Sequence, residues 1–357
     1  MRTLIANPYG IGDVLFSLPL VQAIRQADPP GFLGYLSNRR TVELLMAWKE
    51  LDWRGVFEKD EFRAGWGRSR QEGLGHLRRT IAEIQRERFD TLVDLSLGWH
   101  YGLAGLLAGI PRRAGFDFRN RGKFLTHRLR TRGFHSQPVA EYYLDLLPAI
   151  GLPRRAGTDV RLELPAAATG QAAEYLRQRG IPDARLVGIV PGGGASWGPN
   201  AVFKQWAPER FAEVADALAE RAGGAAVLIF GDAGEASLCG KVAAAMRSPR
   251  PKAAVQVPSL LTLAGLLQRC SLVVGNDSGP MHLAAVVGTP TVSIFGPVDP
   301  SVYGPFSQRS VHRVVTQGLV CQPCYQGFRF PPCPWDNRCL KQLAPGWVLE
   351  QAYALPR

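Results

Sequence analysis

Short apolar runs that alternate with amphipathic helical patterns are the feature that most constrains this chain. In the first half, strand patterns alternate with helical ones, the strands at 3–7, 31–36 and 91–95 and the helices at 14–27, 74–88 and 140–150. After a polar stretch the pattern restarts, with strands at 186–190, 225–230, 271–274 and 291–295 and helices at 208–221, 236–246, 261–268 and 280–287. Such alternation favours α/β architecture with mostly parallel sheets. Because 357 residues suffice for two cores, we predict two Rossmann-like domains facing across a cleft.

The polar, glycine- and proline-bearing stretch at 151–157 marks the predicted domain boundary. We assign 1–155 to an N-terminal domain and 156–345 to a C-terminal one, and we expect a helix at 346–357 to pack back on the first. Ligands of open parallel sheets bind beyond the carboxyl ends of the strands. The loops that follow the strands are therefore the places to look for a site.

The segment from Asn276 to Ala285 follows a buried strand pattern and opens a short helix. Pro280 suits the first helical turn, where its missing N–H is not needed. Asp277, Ser278 and Gly279 would then lie beside free backbone N–H groups at the positive end of the helix. The segment predicts a phosphate or diphosphate site, and an ordinary capped strand–turn–helix is the alternative.

The first strand pattern ends in a loop that contains Gly10, Gly12 and Asp13. Two glycines would let the backbone turn tightly and approach a ligand. The third glycine of a dinucleotide fingerprint is absent, so that match is weak. Asp13 is either a helix N-cap or a general base facing the cleft, which the helix N-terminus would keep ionised.

Two loops of the second half can also contact a nucleotide. The glycine-rich loop at 191–199 lacks the Gly-Lys-Ser/Thr ending of a P-loop, which excludes a P-loop NTPase. Lys204 follows it, and its ammonium either reaches a phosphate or is solvated. A carboxylate in the loop at 231–235, which includes Glu235, either accepts hydrogen bonds from ribose hydroxyls or is an ordinary acid of a first helical turn.

The formal net charge of +12 favours anionic partners. Eight Lys/Arg between 112 and 132, among them Arg119, Arg121 and Lys123, face a single acid, Asp117. This run is either a solvated surface loop or a patch that receives a phosphorylated or membrane-bound substrate. A non-catalytic nucleic-acid module is disfavoured, because stacking aromatics are not regularly interleaved with the charges.

Four of the six cysteines cluster near the C-terminus, at Cys321, Cys324, Cys333 and Cys339. Four thiolates can hold a structural zinc, but the second pair is not CxxC, and we favour free structural cysteines. The chain shows neither a signal peptide nor an apolar run of membrane-spanning length. We therefore expect a cytosolic protein without disulfides at these cysteines.

Together these residues resemble glycosyltransferase family 9, the ADP-heptose:lipopolysaccharide heptosyltransferases, almost from end to end. The resemblance is carried by 10–13 with Pro19, by 93–95 and 105–116, by His135 with 141–143, by the C-terminal cysteine group and, most specifically, by 277–285. It implies a GT-B fold with the acceptor on the N-terminal domain and the donor on the C-terminal one. It also implies an inverting transfer that requires neither a metal nor another cofactor.

The resemblance assigns roles to individual residues. Asp13 would be the general base, Glu235 would hold the ribose, and Lys204 would hold the ADP diphosphate together with Asp277, Ser278, Gly279, Pro280, Met281 and His282. On the acceptor side we place Gly10 and Gly12, and we expect Arg119, Arg121 and Lys123 to bind a phosphorylated or lipid-linked glycan at the anionic cytoplasmic face of the inner membrane.

Two departures from the family pattern leave the substrates open. The loop at 192–200 is longer before Lys204 than the family pattern, and 94–100 replaces a Gln-Gly-Leu-like continuation. Another nucleotide sugar, a non-lipopolysaccharide acceptor, or a GT-B-fold sugar-nucleotide epimerase are the alternatives.

Overall fold

The computed structural model describes residues 1–58, 70–154, 157, 159–182, 185–248, 252–257, 259–307 and 309–356. The chain divides into two compact units, Met1–Thr158 and Asp159–Arg357. Each unit contains a six-stranded sheet, and the neighbouring strands pair in parallel. The predicted α/β architecture with parallel sheets is therefore confirmed.

The first sheet has the strand order β3-β2-β1-β4-β5-β6. Its strands are β1 (Arg2–Ala6), β2 (Phe32–Ser37), β3 (Trp53–Val56), β4 (Thr91–Asp94), β5 (Arg112–Phe118) and β6 (His127–Thr131). The helices of this unit are α1 (Ile11–Phe16), α2 (Leu18–Ala27), α3 (Arg39–Val42), α4 (Arg70–Arg86), α5 (His100–Leu107) and α6 (Val139–Leu144), with 3₁₀ turns at Glu43–Ala47 and Pro148–Ile150. The direction of winding reverses between β1 and β4, and a doubly wound sheet binds its ligand at such a point.

The second sheet has the order β12-β11-β10-β7-β8-β9, which repeats the topology of the first when it is read from the opposite edge. Its strands are β7 (Leu186–Val190), β8 (Ala226–Phe230), β9 (Lys252–Val255), β10 (Cys270–Asn276), β11 (Thr291–Ile294) and β12 (His312–Val315). The reversal here lies between β7 and β10. The loops after these two strands are therefore the expected ligand loops of the second unit.

The helices of the second unit surround this sheet. They are α7 (Ala166–Gln178), α8 (Pro208–Arg221), α9 (Ala236–Ala245), α10 (Leu260–Arg269), α11 (Gly279–Val286), α12 (Pro300–Tyr303), α13 (Arg338–Lys341) and α14 (Pro345–Tyr353), with 3₁₀ turns at Ala195–Lys204, Ala233–Glu235 and Arg309–Val311. Phe211 and Leu218 of α8 pack into a core with Ile189 and Ile229 of the sheet, all fully or almost fully buried. The helical spacing of apolar residues in α8 produces this buried face.

The C-terminal helix α14 packs within the second unit, against α8, β11 and β12. Its apolar side chains Val348 and Ala352 join the same core cluster as Phe211. Its predicted contact with the N-terminal domain stays a prediction.

In the first unit, one helix prediction was wrong in detail, and so was the solvated-loop alternative for the basic run. The helical pattern at 14–27 is two helices, because the Ser17 hydroxyl bonds the Val14 carbonyl at 2.7 Å and the Tyr35 hydroxyl at 2.7 Å, where α1 ends. The basic run is not a simple solvated loop. It forms the strands β5 and β6 and the turn between them.

Candidate active site

The loops after β7 and β10 meet at the point where the second sheet reverses. Asn276, at the end of β10, is fully buried and bridges both loops. Its Nδ2 donates to the Pro191 carbonyl at 2.7 Å, and its Oδ1 accepts from the Trp206 backbone N–H at 3.2 Å. One amide side chain therefore fixes the loop after β7 and the segment after Lys204 against the end of β10.

A buried charge cluster lies next to this amide. Nζ of Lys204 is 2.7 Å from Oδ2 of Asp277, and Nε2 of His282 is 3.5 Å from Oδ1 of the same carboxylate. Lys204 also lies over the Trp197 ring, 4.5 Å from its centroid. Burial raises the pKa of Asp277, but Lys204 and His282 outweigh burial and lower it overall, so the carboxylate is ionised. Lys204 is thus a buried, paired cation and not a solvated one.

The cluster lies at the N-terminus of α11, as predicted. Ser278 is the N-cap, Pro280 lies in the first turn, and Met281 and His282 are buried behind it. The Ser278 hydroxyl is buried and has no hydrogen-bond partner among the described residues. The structure therefore brings the predicted residues from Asp277 to His282 together with Lys204. A helix N-terminus with a nearby cation is suited to binding an anion.

Glu235 lies against the glycine-rich loop. A Cβ on Gly192 would be 2.0 Å from Oε1 of Glu235, so a side chain at position 192 would displace this carboxyl group from its place. Glu235 forms a capping box with Asp232, whose side chain accepts from the Glu235 N–H at 3.0 Å. Burial, and then the charge of Asp232, raise the pKa of Glu235. Glu235 is therefore an ordinary acid of a first helical turn, as one of the two alternatives stated. Its carboxyl group also lies beside the loop after β7.

Asp13 lies in the first turn of α1, at the point where the first sheet reverses. The N-cap of α1 is Gly10, so the alternative that made Asp13 the N-cap was wrong. Gly10 has a φ of −76°, which any residue adopts, and Gly12 lies inside the helix. The prediction that both glycines serve a tight turn was therefore wrong. The Asp13 carbonyl accepts from Nδ2 of Asn7 at 3.0 Å, which fixes the loop on the helix.

Asp94 is a buried acid beside this loop that sequence reasoning did not assign to the site. It ends β4, pairs in register with Ala6 of β1 and is 2% exposed. Burial raises its pKa to about 6, although hydrogen bonding from Ser96 acts to lower it. The signal in the sequence was an acid that ends an apolar strand. Only the strand order places that acid next to the loop of Asp13.

The predicted acceptor cations lie on the turn between β5 and β6. Arg119, Arg121 and Lys123 are exposed. The two guanidinium groups lie over the Phe118 ring, 4.8 and 5.9 Å from its centroid, and Nζ of Lys123 lies 5.4 Å from the centroid of Trp99. None of the three makes an ion pair with another residue in the described ranges.

Two other cations of the run, Arg112 and Arg113, donate hydrogen bonds to backbone carbonyls. Arg113 donates to the carbonyls of Phe124 and Ile110, at 2.7 and 2.5 Å, and Arg112 donates to the Ile150 carbonyl at 2.7 Å. The run therefore contains a structural subset and an exposed subset.

The structure does not support the zinc-site alternative for the four clustered cysteines. All four are free, and in the described part of the chain no three His, Cys, Asp or Glu residues are grouped to hold a metal ion. Burial raises the pKa of Cys339 to about 11, and the neighbouring thiols act in the same direction.

Within the described residues, no helix is both long and apolar enough to cross a bilayer.

Comparisons with known proteins agree with this geometry. The model of glycosyltransferase family 9 (heptosyltransferase) matches residues 77–327. Lipooligosaccharide heptosyltransferase 2 of Campylobacter jejuni is 34% identical over 173 residues, which cover 47% of this chain and 50% of that protein. Lipopolysaccharide heptosyltransferase 2 of Escherichia coli is 25% identical over 336 residues, which cover 88% of this chain and 89% of that protein.

Among solved structures, Escherichia coli ADP-heptose lipopolysaccharide heptosyltransferase II shares the fold. It has a TM-score of 0.75 and 23% identity, and the match covers 99% of this chain and 98% of that one. The GT-B fold prediction is thereby confirmed. The family model covers well over half of the sequence, and the chain therefore belongs to glycosyltransferase family 9, the heptosyltransferase family of enzymes.

Proposed function

We propose that this enzyme transfers a heptose, with inversion, from ADP-heptose to a lipopolysaccharide core acceptor. The observation that carries the proposal is the buried Lys204–Asp277–His282 cluster at the N-terminus of α11. Family membership supports the heptosyl transfer. The choice of donor is supported by the similar Escherichia coli protein, which is an ADP-heptose lipopolysaccharide heptosyltransferase.

The donor diphosphate would bind at this N-terminus. Its negative charge is offset by the helix N–H groups and by the ammonium of Lys204. Asp277 holds that ammonium in place before the ligand arrives, so little side-chain freedom is lost on binding. Glu235, beside Gly192, would accept hydrogen bonds from the ribose hydroxyls.

Asp13 would act as the general base on the acceptor. An acceptor hydroxyl is a poor nucleophile until its proton is removed, and a carboxylate within reach provides that removal. In the transfer the hydroxyl oxygen bonds the anomeric carbon, its proton passes to Asp13, and the bond from that carbon to the diphosphate oxygen breaks. ADP leaves from the opposite face, which inverts the anomeric centre. The proposal includes no metal and no further cofactor.

The acceptor would bring its phosphate groups to Arg119, Arg121 and Lys123. Lys123 lies beside Trp99, which is 38% exposed, and the helix α5 that follows Trp99 has two further exposed apolar side chains, Leu106 at 44% and Leu107 at 50%. Basic residues beside exposed leucine and tryptophan are typical of protein surfaces that rest on anionic lipid. The proposal therefore includes a position on the cytoplasmic face of the inner membrane, where a lipid-linked acceptor would be presented to the enzyme.

A turnover assay tests the proposal and separates it from its alternatives. Purified enzyme is given ADP-heptose, or the matching UDP, GDP or CMP sugar, with and without a heptose-accepting core glycolipid. We expect ADP release only with ADP-heptose and acceptor together, and we expect the product to have the inverted anomer by NMR. Donor turnover without acceptor would favour the epimerase alternative. Transfer from another nucleotide sugar alone would refute the assigned donor.

A further inference from the structure

The turn after β4 is fixed by the carboxylate of Asp94. Its Oδ1 accepts from the Ser96 backbone N–H at 2.9 Å, and the Ser96 hydroxyl in turn accepts from the Gly98 N–H at 3.3 Å. Between them Leu97 has a φ of +54°, a left-handed conformation that is uncommon for a residue with a side chain. A buried leucine in this conformation persists only when its surroundings hold it there.

This turn is connected to the loop that carries Asp13. The Tyr9 hydroxyl donates to the Ser96 carbonyl. The Tyr9 backbone N–H donates to Oδ1 of Asn7 at 3.2 Å, and Nδ2 of Asn7 donates to the Asp13 carbonyl at 3.0 Å. A path of hydrogen bonds therefore runs from Asp94 through Ser96, Tyr9 and Asn7 to Asp13, within the first unit.

Asp94 closes this turn in a way that destabilises the fold. Its Oδ2 is buried without a hydrogen-bond partner among the described residues, and so is the Tyr101 hydroxyl on α5. An unsatisfied buried polar group lowers stability. The neighbouring strand makes room for the acid, since a Cβ on Gly115 would be 2.6 Å from the Asp94 carbonyl oxygen and 3.1 Å from its Cβ. Closing the turn alone does not require a buried acid that lowers stability, which points to a role beyond the turn itself.

We propose that Asp94 is a positioning residue for the reaction and acts through Ser96 and Tyr9 on the loop that carries Asp13. The inference rests on the proposed function, in which Asp13 is the base. Without the Asp94 acceptor the Ser96 carbonyl shifts, Tyr9 loses its anchor, and Asp13 moves relative to the acceptor hydroxyl. Because transfer depends on that alignment, turnover falls although no reacting group has been removed.

A double-mutant cycle on turnover tests the path. Asp94→Ala removes the carboxylate that accepts from the Ser96 N–H, and Tyr9→Phe removes the hydroxyl that donates to the Ser96 carbonyl. We expect each to lower kcat by about 10- to 100-fold and to leave ADP affinity unchanged. Because both changes break one path, the double variant should be no slower than the slower single one. Multiplied effects in the double variant, or wild-type turnover in Tyr9→Phe, would overturn the proposal.

Two controls separate positioning from general loss of structure. Asp94→Asn keeps an acceptor oxygen for the Ser96 N–H and should recover about tenfold or more of the turnover lost in Asp94→Ala. Asp216 also holds a loop, accepting from the Arg247 and Ser248 N–H groups at 2.7 and 3.0 Å, but it lies in the second unit. Asp216→Ala should leave kcat near wild type, and an equal loss there would contradict a positioning role for Asp94.

The variant Asp13→Asn distinguishes failure of the proposed function from failure of the positioning role. If Asp13→Asn retains full turnover, the base assignment in the proposed function has failed. If Asp13→Asn is inactive while Asp94→Ala and Tyr9→Phe act independently, only the positioning role has failed. Should Asp94→Ala not fold, Tyr9→Phe alone still decides, because it removes a single oxygen atom from the chain.

Discussion

The ammonium of Lys204 lies 2.7 Å from the carboxylate of Asp277, and the two residues are only 3% and 5% exposed. A buried ion pair of this kind does two things at once. It satisfies a carboxylate that burial alone would destabilise, and it fixes a cation beside the N-terminus of α11. Stability and ligand binding can therefore be separated by experiment.

Lys204→Met should lower both stability and ADP affinity. It leaves Asp277 buried without its cation, which costs about 3–5 kcal/mol of unfolding free energy. It also removes a charge-assisted contact worth about 1.5–3 kcal/mol of ADP binding. The double variant Lys204→Met/Asp277→Asn should recover stability in thermal melts but not ADP affinity by calorimetry. Wild-type ADP binding in the double variant would show that Lys204 does not contact the phosphate.

Asp13→Asn should separate catalysis from binding. The substitution keeps the size of the side chain but removes the base, so turnover should fall by about 10²–10⁴-fold. Melting temperature and ADP affinity should stay near wild type, because Gly10 and not Asp13 is the N-cap of α1. Asp13→Ala serves as the comparison, and rapid turnover with lowered stability in that variant would favour a purely structural role.

Charge reversal of Arg119, Arg121 and Lys123 to glutamate should raise the acceptor KM and leave ADP affinity unchanged. These exposed cations make no ion pair in the described ranges, so the fold should tolerate the change. Sedimentation with anionic vesicles should show weaker binding, and salt should weaken the binding of the wild type.

The matched control for this charge reversal is the same change at Arg179, Arg221 and Lys241, which are exposed cations of the second unit. This control alters the net charge by the same amount and should leave the acceptor KM near wild type. Equal losses of vesicle binding in both triple variants would mean that net charge alone attracts the lipid.

Asp94 should make stability depend on pH. Burial raises its pKa from 3.8 to about 6, so the folded chain holds the proton more tightly than the unfolded chain. The free energy of unfolding therefore falls as pH rises between these values, and Asp94→Asn removes that fall. We expect the variant to exceed wild type by up to about 3 kcal/mol near pH 8. The gap should close as pH falls to about 4.

The measurement is chemical denaturation across this pH range, with Asp216→Asn as a control. The charges of Asp94, Tyr9 and Glu58 all raise the pKa of Tyr101, which places these titratable groups around the Tyr101 hydroxyl. A gap that stays constant with pH would refute the assignment of the titration to Asp94.

The strand, turn and helix around Asn276 were predictable from sequence because their signals are local. The strand pattern before Asn276, Pro280 in the first turn and the helical pattern after it lie within one short segment. The pairing of Asp277 with Lys204 was not predictable, because it depends on which strands are neighbours. The same is true of Asp94, which lies beside the Asp13 loop only because β4 pairs with β1.

Elsewhere local patterns competed with one another. Ser17 lies in an unbroken helical pattern, yet its hydroxyl bonds the Val14 carbonyl and α1 ends there. The basic run carries so much charge that its strand pattern is hidden. Arg112 and Arg113 donate to backbone carbonyls, and no sequence rule separates them from the exposed Arg119 and Arg121.

Gly192 and Glu235 form a mutually dependent pair, since a Cβ on the first would collide with the carboxyl group of the second. A side chain at position 192 would therefore require the carboxyl group to rotate away from the loop after β7 or the acid to be lost. Because Glu235 is proposed to hold the ribose in this position, a side chain at position 192 should follow the loss of the acid and not precede it. Among related sequences, glycine at the first position should accompany the acid at the second, and glycine without the acid should be the intermediate state.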